Sequence, residues 1–293
     1  MIGLVAALLS SVLWGGSDFA AGVSARGAGP LRAAVWSYLG ASVGSLAALA
    51  WTGGTFSPAA LAAGTAAALC SAIGFVAFYA SLARAPMGVA TAIVAAGEVV
   101  VPVVVGVGLR GESLPPAGWL GLVAAAAGAV IVGAAGGDHG RAALVPVLLA
   151  GAAGVSFGLA VVALAAAPHA SGLLAPTVEV AGGLALTAGL LAVIRVAPGM
   201  RRFAVGIGLT PTRAGGAVGV RSGLVAGALQ GAANITLMYA LWNGQLAVVG
   251  VVVCLYPLTT VALARSVLGE TLTRGHLAGI ALAVAGCSVL ALS

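Results

Sequence analysis

The sequence predicts an all-α membrane protein of about ten transmembrane helices, arranged as two five-helix inverted repeats. Three observations carry this expectation: the scarcity and placement of charge, the length of the apolar runs, and a repeated Gly-Glu segment. The 293 residues include 12 Lys or Arg and 6 Asp or Glu, a charged fraction of 6% against a hydrophobic fraction of 61%. Soluble domains carry about 25% charged residues, so the composition excludes a soluble fold. Almost all the charges sit in short breaks between apolar runs. Each run is roughly 20 residues long, the length at which a helix crosses about 30 Å of hydrocarbon.

The predicted spans are 2–22, 32–51, 59–81, 87–109, 115–135, 142–165, 171–194, 221–241, 246–267 and 273–292. The breaks carry residues that end helices and open turns: Gly27-Ala28-Gly29-Pro30, Gly53-Gly54, Pro86, Pro115-Pro116, Gly136-Gly137-Asp138, Pro168 and Gly244. Most breaks are too short to fold alone, so consecutive spans are expected as antiparallel hairpins. The longest break, about 195–221, reads as a basic loop. No basic segment precedes the first run, and the run continues past Trp14, so it reads as a retained span and not a cleaved signal. Forty-six glycines suit a bundle whose backbones approach closely. Cys70, Cys254 and Cys287 lie inside spans without metal-ligand spacing and read as small buried apolar residues.

The segment Gly111-Glu112-Ser113-Leu114 returns as Gly269-Glu270-Thr271-Leu272, at an offset of 158. Across positions 111–132 that offset gives seven identities, among them Gly121 with Gly279, Ala125 with Ala283 and Gly128 with Gly286. Each copy falls between the fourth and fifth spans of a half. The chain therefore divides into a first five-span repeat, 1–135, and a second, 142–293. Five is odd, so the second repeat enters the membrane from the opposite side. Such inverted repeats place a substrate site near the midplane, where the halves meet.

With Trp14-Gly15 in the first span and Gly-Glu-x-Leu after the fourth span of each half, the chain resembles the EamA-type members of the drug/metabolite transporter superfamily. Phe157-Gly158 is a loose counterpart of Trp14-Gly15, and Pro257 stands thirteen residues before Glu270, as in the family's ninth helix. The first half departs from that pattern, with Val99 at the equivalent position, Glu98 beside it and Pro102 three residues on. The resemblance implies a carrier of small molecules with both termini in the cytoplasm, and it leaves the substrate open.

Acids inside spans are the candidates for function, because a charge at the bilayer centre costs on the order of 3 kcal/mol or more. Glu98 lies at the middle of its span, about 16 Å from either end at 1.5 Å per residue. It is expected to face the bundle interior as a proton-coupling site or an anchor for a cationic solute, or else to be bonded to a neighbouring carbonyl or Arg. Asp18 is expected near one interface, either in gating or paired with Arg26 or Arg32. Glu179 is expected at intermediate depth, with functional and structural readings both open. The offset of 158 sets Tyr256 opposite Glu98, able to donate to it or to a solute, with Pro257 loosening the local backbone ladder. Asn234 and Gln230 either glue helices or line a cavity. Trp14, Trp36, Tyr38 and Tyr79 are candidate cavity aromatics, whereas Trp51, Trp119 and Trp242 read as interfacial. Glu112 and Glu270 are expected to be structural, each facing the start of the next helix or pairing with Arg110 or Arg274.

The remaining residues argue against other classes of activity. His139, His169 and His276 are too scattered for a metal site, and no lysine exists to complete a nucleotide-binding loop. No catalytic motif stands out, so neither an enzyme nor a cofactor is expected. The expected partners are a small-molecule substrate and the lipid bilayer of a plasma (inner) membrane, with no nucleic acid; monomer and homodimer both remain open. The charge distribution conflicts with the resemblance on orientation. Eleven arginines fall on the side of the 195–221 break and only Arg110 on the other, which sets the termini outside. The expected activity is secondary transport of a metabolite, amino acid or drug-like compound, by alternating access with proton coupling. An uncoupled facilitator or exchanger, or a non-transporting scaffold, is the alternative.

Overall fold

The computed structural model describes residues 1–82, 87–135, 144–206, 209, 216–268 and 273–292. Glu270, Arg84, Arg141, Arg213, His139 and Pro86 lie outside the described residues, as do the side chains of Arg26, Tyr79, His276 and Cys287. The described residues form helices joined by short turns. The first half holds α1 (Ile2–Ala28), α2 (Pro30–Thr52), α3 (Pro58–Leu82), α4 (Met87–Leu109) and α5 (Pro116–Ala135). The second holds α6 (Leu144–Leu164), α7 (Leu174–Val196), α8 (Pro198–Gly206), α9 (Ala217–Asn243), α10 (Leu246–Val253), α11 (Tyr256–Leu268) and α12 (Arg274–Leu292). Six of these, α1, α2, α3, α6, α7 and α9, are long and apolar enough to cross a membrane. Shorter apolar helices occur within α4, α5, α10–α11 and α12.

Two expectations change. The basic segment 195–221 contains a helix, α8, and is not wholly loop. The predicted ninth span is broken at Cys254 and Leu255, just ahead of Pro257, whose missing N–H cannot continue the ladder. Consecutive helices are also not the main packing partners. Helix α1 lies chiefly on α9, α2 on α9 and α7, α3 on α6 and α7, α4 on α6, and α5 on α12. The two halves thus interleave and do not form separate bundles.

Small residues make these contacts possible. Gly128 packs against the backbone of Gly279 and Ala283, and Gly286 against that of Gly121 and Ala125. Along α1, Ser10, Ser17 and Ser24 donate to the carbonyls of Ala233, Ala226 and Gly219 at 2.9, 2.9 and 2.7 Å. Both series step by seven residues, in opposite directions, as two antiparallel helices require. Each bond of this kind stabilises by about 0.6 kcal/mol in a membrane.

One end of the bundle, where α1 begins, is tied across the halves. Thr55 donates its N–H and hydroxyl to the carbonyl of Ala170 at 2.9 and 2.8 Å, and Arg110 donates to the carbonyl of Ala165 at 2.9 Å. After α4, Gly111 adopts φ 67°, a left-handed turn that glycine enters without strain. That turn returns Glu112 toward the bundle. Its two carboxylate oxygens accept the N–H groups of Leu246 and Ala247, each at 2.9 Å. Glu112 therefore caps α10, which has no side-chain cap of its own. This corrects the expected partner. The carboxylate serves a helix start 134 residues away and not that of α5, and Arg110 bonds elsewhere.

Candidate functional site

A cavity opens between the two halves, about 820 Å³ of empty space including its mouth. Helices α1, α3, α4, α6, α7, α9, α10 and α11 all contribute to its wall, so it exists only in the assembled bundle. Asp18, Glu98 and Glu179 all line it, together with Asn234, Tyr256 and Trp14. Every in-span acid singled out from the sequence thus reaches one space.

The acids form two groups. In the first, Glu98 of α4 lies on the wall beside Cys254 and Tyr256. The Cys254 thiol lies 3.9 Å from Oε2 of Glu98. Asp18 of α1 is close enough for its charge to act on both Glu98 and Tyr256. Asp18 accepts no hydrogen bond from a described side chain and lines the cavity. Glu98 and Tyr256, expected opposite each other, both line the cavity. Cys254 is more than an apolar filler, since it sits at the helix break beside Glu98.

In the second group, Glu179 of α7 is 3% exposed. Ser71 of α3 donates to its Oε1 at 2.8 Å, and the Asn234 amide of α9 donates to Oε2. Both carboxylate oxygens are therefore satisfied, as burial of an acid demands. Gln230, one turn below Asn234, is buried at the helix interface and is not part of the cavity wall.

Between the two groups the wall is aromatic and aliphatic. Trp14, Phe75, Phe78 and Phe157 line it, with Phe75 and Phe157 packed edge to face at 5.1 Å. Phe75, Phe78 and Ser71 escape a sequence reading, because nothing in an apolar span sets them apart. Tyr38 and Trp36 do not line the cavity. Tyr38 packs against Gly183 and Phe75, and Trp36 against Gly223. Trp51 is exposed near the end of α2. No Arg or His side chain lines the cavity among the described residues.

The Trp-Gly and Phe-Gly pairs have a packing basis. Gly15 lets α1 touch the carbonyl of Tyr256 and the side chain of Thr259, and Thr260 donates to the carbonyl of Gly15 at 3.1 Å. Gly158 lets α6 touch the side chain of Val101 and the carbonyl of Glu98. Residues 256 and 259 stand 158 beyond residues 98 and 101, the same offset as the Gly-Glu repeat. A second matched set surrounds Glu179. Gly64 packs on the carbonyl of Ala175 and the side chain of Val178, and Gly227 on the carbonyl of Ser37 and the backbone of Gly40. Gly227 and Asn234 each stand 163 beyond Gly64 and Ser71.

Comparison with known proteins agrees with this architecture. Residues 1–134 match the model of the EamA-like transporter family. A solved crystal structure 20% identical in sequence superposes with a TM-score of 0.77, covering 99% of this chain and 98% of the other. At that identity the likeness speaks for the fold alone. No curated protein sequence matches the chain. A multi-pass helical fold, a cavity shared by both halves and the match over its first 134 residues together assign the amino-terminal half of this membrane protein to the EamA-like transporter family.

Proposed function

We propose that the chain is a ten-span inverted-repeat secondary carrier, which moves small positively charged organic solutes in exchange for protons by alternating access. The observation that carries the reading is the cavity wall, with three carboxylates, five aromatic side chains and no basic side chain among the described residues. Uncompensated carboxylates in an apolar space are costly. Either a proton or an ammonium group offsets that cost, which lets one exchange with the other. The aromatic faces favour a cation further. Glu98 and Asp18 are the exchanging acids, Tyr256 orients Glu98, and Trp14 and Phe157 hold the apolar part of the solute. Glu179, held by Ser71 and Asn234, supports the opposite wall. Glu112, and Glu270 by the sequence repeat, are structural.

The matched contacts of Gly15 and Gly158, and of Gly64 and Gly227, support the inverted repeat. They relate Trp14 to Phe157, Asp18 to Val161, Ser71 to Asn234 and Glu98 to Tyr256. The frame is symmetric while the charge is not, since the first repeat supplies both acids of the first group. Because the halves interleave, the moving units mix helices of both: α1 and α9 on one side, α3, α4 and α6 on the other. The break before Tyr256 gives the cavity wall a joint.

The test is uptake into proteoliposomes under an imposed pH gradient. The solutes are phenethylamine, tetraphenylphosphonium, a neutral amino acid, 2-phenylethanol and 3-phenylpropionate. Saturable, protein-dependent movement of the two cations, with proton counterflow lost in Glu98→Gln, is expected. Movement of only the anion or the alcohol overturns the charge preference. Flux without a pH gradient and indifferent to Glu98→Gln makes the chain an uncoupled facilitator. No flux of any solute removes the carrier reading.

A further inference from the structure

Helix α8 joins α7 to α9 at the end of the bundle opposite the Glu112 cap. It is nine residues long, and it packs inward through Ala204, 1% exposed, which joins Leu209, Ile194, Leu31 and Ala34 in a small apolar cluster. The outward arc holds Arg201 and Arg202 with Val205 between them on the helical wheel, and all three are exposed. Exposed Arg195 at the end of α7 and exposed Arg221 near the start of α9 flank it. Arg32 follows Leu31, which packs in the same cluster. From Arg195 to Arg221 the sequence contains no acid, so nothing within the segment neutralises these guanidinium groups. The other end of the bundle is the reverse. Arg110, its only arginine among the described residues, is bonded to a carbonyl, and Glu112 lies two residues away.

We infer that α8 lies flat on a leaflet of anionic phospholipid, with Arg195, Arg201, Arg202 and Arg221 on headgroup phosphates and Val205 at the acyl boundary. A short helix whose exposed arc alternates arginine with an apolar residue, at the rim of a membrane bundle, has the make-up of an interfacial anchor. Arginine suits the site because its planar fork bonds phosphate oxygens in pairs. The docking also orients the chain. A basic rim stays on the cytoplasmic side, so α8 is cytoplasmic and Met1, at the far end of α1, is outside. That orientation is opposite to the one the family resemblance implies. The inference is independent of what the cavity carries.

Two measurements test it. Phosphatidylglycerol titrated into the detergent-purified protein should raise its melting temperature, whereas phosphatidylcholine should not. Each arginine is worth roughly a fivefold change in affinity for an anionic surface, so Arg201→Gln with Arg202→Gln should require about 25-fold more phosphatidylglycerol for the same shift. Equal shifts from both lipids, or from inorganic phosphate at the same concentration, overturn the docking. In intact cells, a membrane-impermeant maleimide should label Thr52→Cys directly and Arg202→Cys only after permeabilisation, with the unsubstituted protein as the background control. The reverse pattern overturns the orientation.

Discussion

Replacement of Glu112 by Ala removes the only side-chain cap of α10, and the cost can be worked from its geometry. Two N–H groups at 2.9 Å lose a charged acceptor. A hydrogen bond to a charged group contributes about 1.5–3 kcal/mol. The site is half-buried, so water recovers part of each bond, and a net loss of about 2 kcal/mol is expected, at the upper end for helix caps. At about 2–4 °C per kcal/mol, the melting temperature in detergent should fall by roughly 4–8 °C. Glu112→Gln keeps one acceptor oxygen and should lose about half as much. Gly111→Ala should mimic the loss, because a left-handed φ costs a residue with a Cβ about 1–2 kcal/mol. The assay is a thermal melt of the three variants beside the parent. A drop under about 1 °C for Glu112→Ala, where about 2 kcal/mol is expected, would refute the cap as a source of stability. Equal losses for Gln and Ala would refute the charged bidentate bond as its origin.

Other perturbations follow from the same contacts. Asn234→Leu takes a donor from buried Glu179 and should cost about 3 kcal/mol. Glu179→Gln in the same chain should recover part of that loss, read by thermal melt. Gly128→Leu must push α5 from α12 and should destabilise by about 1–3 kcal/mol or more, while Gly151→Ala, where an added Cβ meets nothing within 4 Å, should be neutral or gain up to about 1 kcal/mol. Glu98→Gln should reduce cation exchange by about tenfold or more, equivalent to losing a 1.4 kcal/mol interaction. Tyr256→Phe should keep transport but weaken its pH dependence, measured in proteoliposomes.

The helices were legible because bilayer thickness and charge cost act on each span separately. The end of α4 at Leu109 agrees with the predicted run, and α2 at Pro30–Thr52 lies within two residues of its own predicted run at either end. The break before Tyr256 was half legible, since Pro257 marks a weak ladder without saying where it parts. Helix α8 was missed because nine residues with two arginines resemble a loop in any window long enough to find a span. At the cavity, the presence of Glu98 and Tyr256 on one wall was readable through the repeat offset. Convergence of Asp18 and Glu179 on the same space was not, because it depends on helices that pack far from their sequence neighbours. Phe75 and Phe78 became cavity residues through rotation of α3, which an almost uniformly apolar helix does not encode.

The three serine bonds between α1 and α9 act as a ruled scale. A greasy interface can creep by fractions of a turn, trading one contact for a similar one. Hydroxyls set seven residues apart against carbonyls set seven apart fit at one setting, and displacement by a single turn, about 5.4 Å, unseats all three together. Motion of this pair is therefore confined to pivoting as one lever. The carboxylate of Asp18, one residue beyond the middle serine, travels with that lever, at a distance from the pivot that the serines themselves fix.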